Sequence, residues 1–321
     1  MRGGQADFDG IRRKYLSQLH QLTGRDTIVY STDFLAGGGP LSTIILEDMQ
    51  GMMEVCRDLN GPGLDLILHS PGGSAEATAS IVRYLRRNFD HIRVFVPVVA
   101  MSAATMWALA GDVVVMGKHS QLGPIDPQLV TAQGQVPARA IIDQFERAKK
   151  ECAENPEMLG AWLPILQQYG PALIQQCENA EELARRLVRE WLETYMFAND
   201  ADPARKAEET SAYFADHRLH QSHSLGLDRD QVRDAGVKVE DLEADQRLQD
   251  AVLTVHHAAF HTFSGPAVKI IENHLGRGFF KLEQVQAQGF QVQLPAMAPP
   301  GGGQVGVPPT SPQAPPPSPT G

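Results

Sequence analysis

Cysteine is scarce in this chain of 321 residues: Cys56, Cys152 and Cys177 are unevenly spaced and form no CxxC pair. An odd, sparse count of this kind excludes a disulfide framework and fits buried structural thiols in a reducing compartment. Positive charge is also in deficit, with 28 Lys and Arg against 38 Asp and Glu, a net charge of −10 and a pI near 5.5. That balance argues against nucleic acid as a main partner, and it leaves open which peptide or protein is bound. No run approaches the roughly 18 apolar residues needed to span a bilayer. The opening MRGGQADFDGIRRKYL has no apolar core of the signal-peptide kind. The expectation is a soluble, cytoplasmic protein with no membrane anchor.

What is present is a globular hydrophobic fraction of 42% and one dense central stretch, Leu64 to Pro127. Leu64–Leu68 is a short apolar run broken only by Asp65, which reads as a buried strand. Pro71-Gly72-Gly73 ends it, and Ser74 is a good N-cap for the helix that follows. Ile92–Val98 is a second strand, rich in β-branched residues. Ala103–Ala110 reads as a buried helix of small residues and Val113–Met116 as a third strand. Gly72 and Gly73 thus follow one strand, where a backbone without side chains turns sharply and presents N–H groups at close range. Ser102 follows the next strand, at the entrance to a helix. If the two strands are neighbours, the glycine N–H groups and that of Ala103 converge beside the Ser102 hydroxyl, as for an activated serine next to an oxyanion hole. Taken singly, SPGG is also an ordinary turn and Ser102 an ordinary N-cap.

LILHSPGG, VPVVAMSAATMWALAGD and LGPIDPQL together resemble the serine dehydrogenase proteinase family, distant relatives of the Clp protease proteolytic subunit and of signal peptide peptidase A. The resemblance is closest from about Asp65 to Leu129 and is traceable to about Val239. It implies an α/β fold, a Clp/crotonase-like spiral of β-β-α units with added C-terminal helices, and a serine endopeptidase site that uses no cofactor. It also implies the order Ser, Asp, His along the chain: Ser102 as nucleophile, Asp126 as orienting acid and His223 as base, with Gly72, Gly73 and Ala103 at the oxyanion hole. Asp126 sits in the proline-bracketed turn Gly123–Pro127, where an aspartate also serves simply to bond its own backbone. His220 competes with His223 for the role of base.

The remaining chain divides by pattern. Residues 1–24 carry an amphipathic helix; 25–243 form the peptidase domain; 244–292 read as a C-terminal helical extension. Residues 293–321 are rich in Pro and Gly and are expected to stay disordered. Ser42 is placed to cap the helix that runs from Glu47 to Leu59, ARAIIDQFERAKKECAE is one helix, and Asp202-Pro203 opens another. His220 and His223 lie three apart, and HHAAFH carries His257 and His261 four apart. Neither has the acidic or cysteine partner of a zinc site, so no metal is expected. Two further readings stay open. Lys149 or Lys150 would be the base of a Ser–Lys dyad, as in signal peptide peptidase A, if it were desolvated. A non-catalytic Clp-like scaffold would bind peptides without cleaving them, and an acyl-CoA enzyme of the crotonase type shares the fold. A peptide or protein substrate and a closed homo-oligomer are the expected partners.

Overall fold

The continuous apolar runs lie side by side in the middle of one sheet, buried on both faces. A computed structural model describes residues 7–35, 39–131 and 134–283. Its strands are β1 (Asp26–Thr32), β2 (Gly63–His69), β3 (His91–Val96), β4 (Val99–Ala100), β5 (Val113–Met116) and β6 (Gln121–Leu122). They continue with β7 (Gln128–Thr131), β8 (Gly134–Pro137), β9 (Leu227–Asp228), β10 (Val239–Asp241), β11 (Ala267–Asn273) and β12 (Gly278–Leu282). The helices are α1 (Phe8–Thr23), α2 (Asp48–Cys56), α3 (Ala75–Asn88), α4 (Ala103–Leu109), α5 (Ala138–Glu154) and α6 (Leu159–Leu166). After them come α7 (Leu173–Trp191), α8 (Pro203–Ala215), α9 (His217–His220), α10 (Arg229–Asp234) and α11 (Gln246–Thr262).

The main sheet has the order β10-β5-β3-β2-β1-β11-β12. β1, β2, β3, β5 and β10 run parallel, β11 is antiparallel to β1 and β12 to β11. A parallel sheet covered on both faces needs apolar side chains at every position, which is why these strands read as unbroken runs. Strand alternation divides them between two cores. Ile28, Tyr30, Leu66, Leu68, Val94 and Val114 face α2, α3, α4 and α7, whereas Val29, Ile67, Phe95 and Val115 face α1 and α11. Asp65, the one interruption, is fully buried and accepts from Arg25 Nε (2.7 Å) and from Arg93 Nε and Nη2 (2.9 and 2.8 Å). Two small sheets, β4-β6-β9 and β7-β8, complete the strands.

The amphipathic segment at the start of the chain is α1, packed against α11 and tied to β11 by buried Arg12, whose Nε donates to Glu272 Oε2 (2.5 Å). Residues 244–292 differ from their sequence reading. α11 is the expected helix, but Ala267–Asn273 and Gly278–Leu282 are strands that extend the main sheet beside β1. Ser42 does not cap a helix at Glu47: its Oγ donates to Gly39 O (2.8 Å) and α2 begins at Asp48. The Pro- and Gly-rich segment 293–321 lies outside the described residues.

At the end of β2, His69 meets His256 of α11 edge to face, ring centroids 4.8 Å apart. Burial pushes His69 down to about 4, and burial followed by the neighbouring His69 pushes His256 down to about 3. Both are neutral when folded, whereas an unfolded histidine titrates near ~6.5. Their stabilising effect is therefore complete above about pH 6.5 and is lost as pH falls through that value toward 4. At pH 5 the expected loss is about 2 kcal/mol per histidine. Urea midpoints at pH 7 and pH 5 should show this, and His256→Phe should flatten the dependence. An equally steep fall in that variant would place its source elsewhere.

Candidate active site

β2 and β3 are parallel neighbours, so the loops leaving their carboxyl ends run side by side. Ser70 N donates to Val99 O (3.2 Å) and Met101 N to Ser70 O (3.0 Å), which sets Pro71–Ser74 against Met101–Ala103. Gly72 is required there by sterics. Its φ is +97°, and a Cβ would lie 2.5 Å from Met101 O, 2.8 Å from Ser102 Cβ and 2.9 Å from Ala103 N. At Gly73 (φ +151°) a Cβ would fall 2.4 Å from Ile44 O. The extended Thr43–Ile45 segment flanks that glycine, Ile44 N donating to Gly72 O (2.7 Å) and Ser74 N to Ile44 O (2.9 Å). Behind it, fully buried Lys269 bonds Thr43 O (2.8 Å) and both oxygens of buried Asp48 (2.6 and 2.8 Å).

Ser102 holds φ 52°, ψ −121°, a conformation that L-residues rarely adopt. It occupies the N-cap position of α4, yet its side chain makes no capping hydrogen bond. The hydroxyl is thus not spent on the helix, as an ordinary N-cap serine's would be. Gly72 N–H donates to Ser70 Oγ (3.2 Å). Thr105 fastens the next layer, its Oγ1 donating to Ala100 O (2.7 Å) and accepting from Gly123 N (2.9 Å), the first residue of the turn that carries Asp126.

That turn is pinned at Ile125, whose N–H donates to Phe214 O (2.8 Å) at the end of α8. The contact brings Asp126 beneath the histidines that follow α8. Asp126 is buried, and its Oδ1 lies 2.7 Å from His223 Nδ1. Its Oδ2 lies 2.9 Å from His217 Nδ1 and accepts from Gln128 Nε2 (3.0 Å). A carboxylate only accepts, so both imidazoles present Nδ1–H to it, and the lone pair of His223 is left on Nε2. His220 is directed elsewhere: buried, edge-on to Tyr213, with Nε2 2.7 Å from Tyr213 O. Of these two histidines, His223 is the one that touches Asp126.

Ser102, Ala103, Gly72, Gly73 and His223 line one cleft of about 600 Å³, whose walls include Ile44, Met106, Ile125 and Leu183. Lys149 and Lys150 do not reach it. Both are exposed on α5, Lys149 with 79% of its side chain accessible and 3.8 Å from Glu146. His217 and Gln128 were not singled out in the sequence as partners of Asp126. A histidine six residues before His223 carries no local signal of that role, because the role exists only through the α8-to-turn contact. Among the described residues, three potential metal ligands gather at His20, Asp26 and His274. One atom of each is hydrogen-bonded within the chain, His20 Nδ1 with Arg25 O, His274 Nδ1 with Thr27 N and Asp26 Oδ2 with Gly61 N.

The parallel sheet and its covering helices make a ClpP-like α/β fold, with the glycine loop set beside a strained serine. Residues 40–163 match the family described as ClpP-like SDH-type serine proteinase, which agrees with the resemblance read from the sequence and with the ClpP-like fold. Two curated relatives, both uncharacterized proteins of Methanocaldococcus jannaschii, are 30% identical over 196 residues and 32% identical over 117. The matches cover 58% and 36% of this chain, and the chain spans only 60% and 39% of the length of those relatives. Among solved structures, a serine-to-alanine mutant of the 1510-N membrane-bound stomatin-specific protease aligns with a TM-score of 0.34 at 16% identity, over 61% of this chain and 74% of that one. A lysine-to-alanine mutant of the same protease in complex with a substrate peptide gives 0.32 at 14%, over 56% and 61%.

Proposed function

We propose that the chain is a serine endopeptidase in which Ser102, His223 and Asp126 act as a triad. What carries this reading is the 2.7 Å contact between His223 Nδ1 and Asp126 Oδ1, made by a histidine that shares a cleft with an uncapped, strained serine. Ser102 Oγ attacks the carbonyl carbon of the scissile peptide bond while His223 Nε2 takes the hydroxyl proton. Asp126 holds the tautomer that makes this possible and stabilises the imidazolium. The N–H groups of Gly73 and Ala103 receive the oxyanion. His223 then gives its proton to the departing amine as the C–N bond breaks, and water releases the acyl group from Ser102 by the same steps in reverse order. A Ser–Lys dyad is disfavoured, because a lysine base must be desolvated and Lys149 and Lys150 are exposed.

A peptide-binding scaffold of the same fold would not react covalently, so a fluorophosphonate separates the two. Intact protein should gain one phosphonyl adduct, and peptide mapping should place it on Ser102; absence of an adduct with the fold intact would favour the scaffold. The Clp-like fold also supports a closed homo-oligomer. Light scattering at micromolar concentration should give a mass several times that of one chain, and a monomer would refute the assembly.

A further inference from the structure

We propose that His217 is a second histidine of the catalytic carboxylate, a positioning residue that fixes Asp126 toward His223 and sets how far into acid the site keeps working. The inference rests on the triad reading. Asp126 is shared, with His223 on Oδ1 at 2.7 Å and His217 on Oδ2 at 2.9 Å. With Gln128 also donating to Oδ2 (3.0 Å), the carboxylate plane is held from one side so that Oδ1 points at the base. Neither histidine is deeply buried, with side chains 17% and 24% exposed, so both exchange protons with solvent without unfolding.

His217 does not itself line the substrate cleft. It opens on a separate charged groove of about 460 Å³. From α5 it is faced by Arg139 and Asp143, and from α7 by Glu178, Glu181, Glu182 and Arg185. Asp216 and Arg218 flank it on its own segment. The cations are engaged, Arg139 with Glu181, Arg218 with Asp143 (2.7 Å) and Arg185 with Glu208. Of the acids in this groove, Glu181 is held above its ordinary value by burial, against the pull of Arg139. The arginines and ordinary carboxylates keep their charge while histidine titrates.

The sign of the coupling follows from the shared carboxylate. A proton on His217 neutralises part of the charge that stabilises a proton on His223, and the two like charges repel. Protonated His217 thus helps His223 keep its lone pair to lower pH. Removing the ability of His217 to ionise, while keeping a donor on Oδ2, must move the acid limb of activity upward.

His217→Asn does this, since its amide N–H stands near the position of Nδ1 without titrating. The readout is the second-order rate at which a fluorophosphonate phosphonylates Ser102, followed from pH 5 to 9; the Oγ–P bond forms, fluoride leaves and the proton passes to His223. His217→Ala should be slower at pH 8 by roughly ten-fold or more, from a carboxylate free to rotate. His217→Asn should recover most of that loss, with its acid limb roughly half to one pH unit above the parent's. Glu181→Gln is the control and should leave the limb in place. A His217→Asn profile that superimposes on the parent's overturns the proposal, as does His217→Ala reacting at the parental rate or Glu181→Gln reproducing the shift. Should His217→Ala fail to fold, the limb in His217→Asn decides alone. Labelling lost in Ser102→Ala but an unmoved limb in His217→Asn sinks this inference only; labelling that persists in Ser102→Ala sinks the triad itself.

Discussion

Ser102→Ala should lower peptide-bond hydrolysis by roughly ten-thousand-fold or more, to what the oxyanion donors and substrate binding sustain alone. Cleavage of fluorescent casein measures it, and activity within ten-fold of the parent would remove Ser102 from the mechanism. The same position makes a stability prediction with a different sign. Ser102 holds φ 52°, ψ −121°, so its Cβ is strained by the local backbone, and a Cβ added at Gly72 would stand 2.8 Å from it. Alanine keeps the Cβ and the strain; glycine removes both. Ser102→Gly should therefore be more stable than Ser102→Ala by about 1 kcal/mol or more in urea unfolding, a departure from the usual cost of adding glycine. Two variants equally inactive but equally stable would show that the serine's conformation stores no strain.

The central sheet and the serine loop were legible because their residues obey local rules. Leu64–Leu68, Ile92–Val98 and Val113–Met116 are largely apolar on both faces and correspond to β2, β3 and β5, β3 ending at Val96. ARAIIDQFERAKKECAE became α5 without change of bounds, and Asp202 caps α8 through its side chain as its sequence suggests. β11 was hidden for the opposite reason. AVKIIEN is buried at every position but contains Lys269, Glu272 and Asn273, which read as a surface. Each is matched by a distant partner, Lys269 by Asp48, Glu272 by Arg12 and Asn273 by Val55 O. A buried charge is tolerated only when such a partner exists, and partners separated by 218 to 260 residues leave no mark on a local pattern. The same limit applies to His217, whose partner is 91 residues away.

Asp126→Asn should prove nearly as damaging as His223→Ala, both falling by roughly a thousand-fold to ten-thousand-fold. The reason lies in counting donors. Asn has one accepting oxygen where Asp has two. Three donors converge on the carboxylate, two of them, His217 Nδ1 and Gln128 Nε2, on Oδ2 and one, His223 Nδ1, on Oδ1. An asparagine that turned its amide toward Oδ2 would set a donor against both groups; turned toward Oδ1, it faces only His223, which escapes by moving its proton to Nε2. The second orientation satisfies more bonds, and it leaves His223 with a proton on the nitrogen that must receive one from Ser102. The variant should thus bind substrate with nearly parental KM while kcat collapses, and its residual rate should rise steeply with pH as hydroxide replaces the lost base. His220→Ala should instead be mild in kcat, because its ring serves Tyr213 O. If Asp126→Asn keeps a tenth of the parental kcat at pH 7, the carboxylate does not orient the base. If His223→Ala does so as well, while Lys149→Ala or Lys150→Ala is inactive, the proton of Ser102 leaves by the lysine.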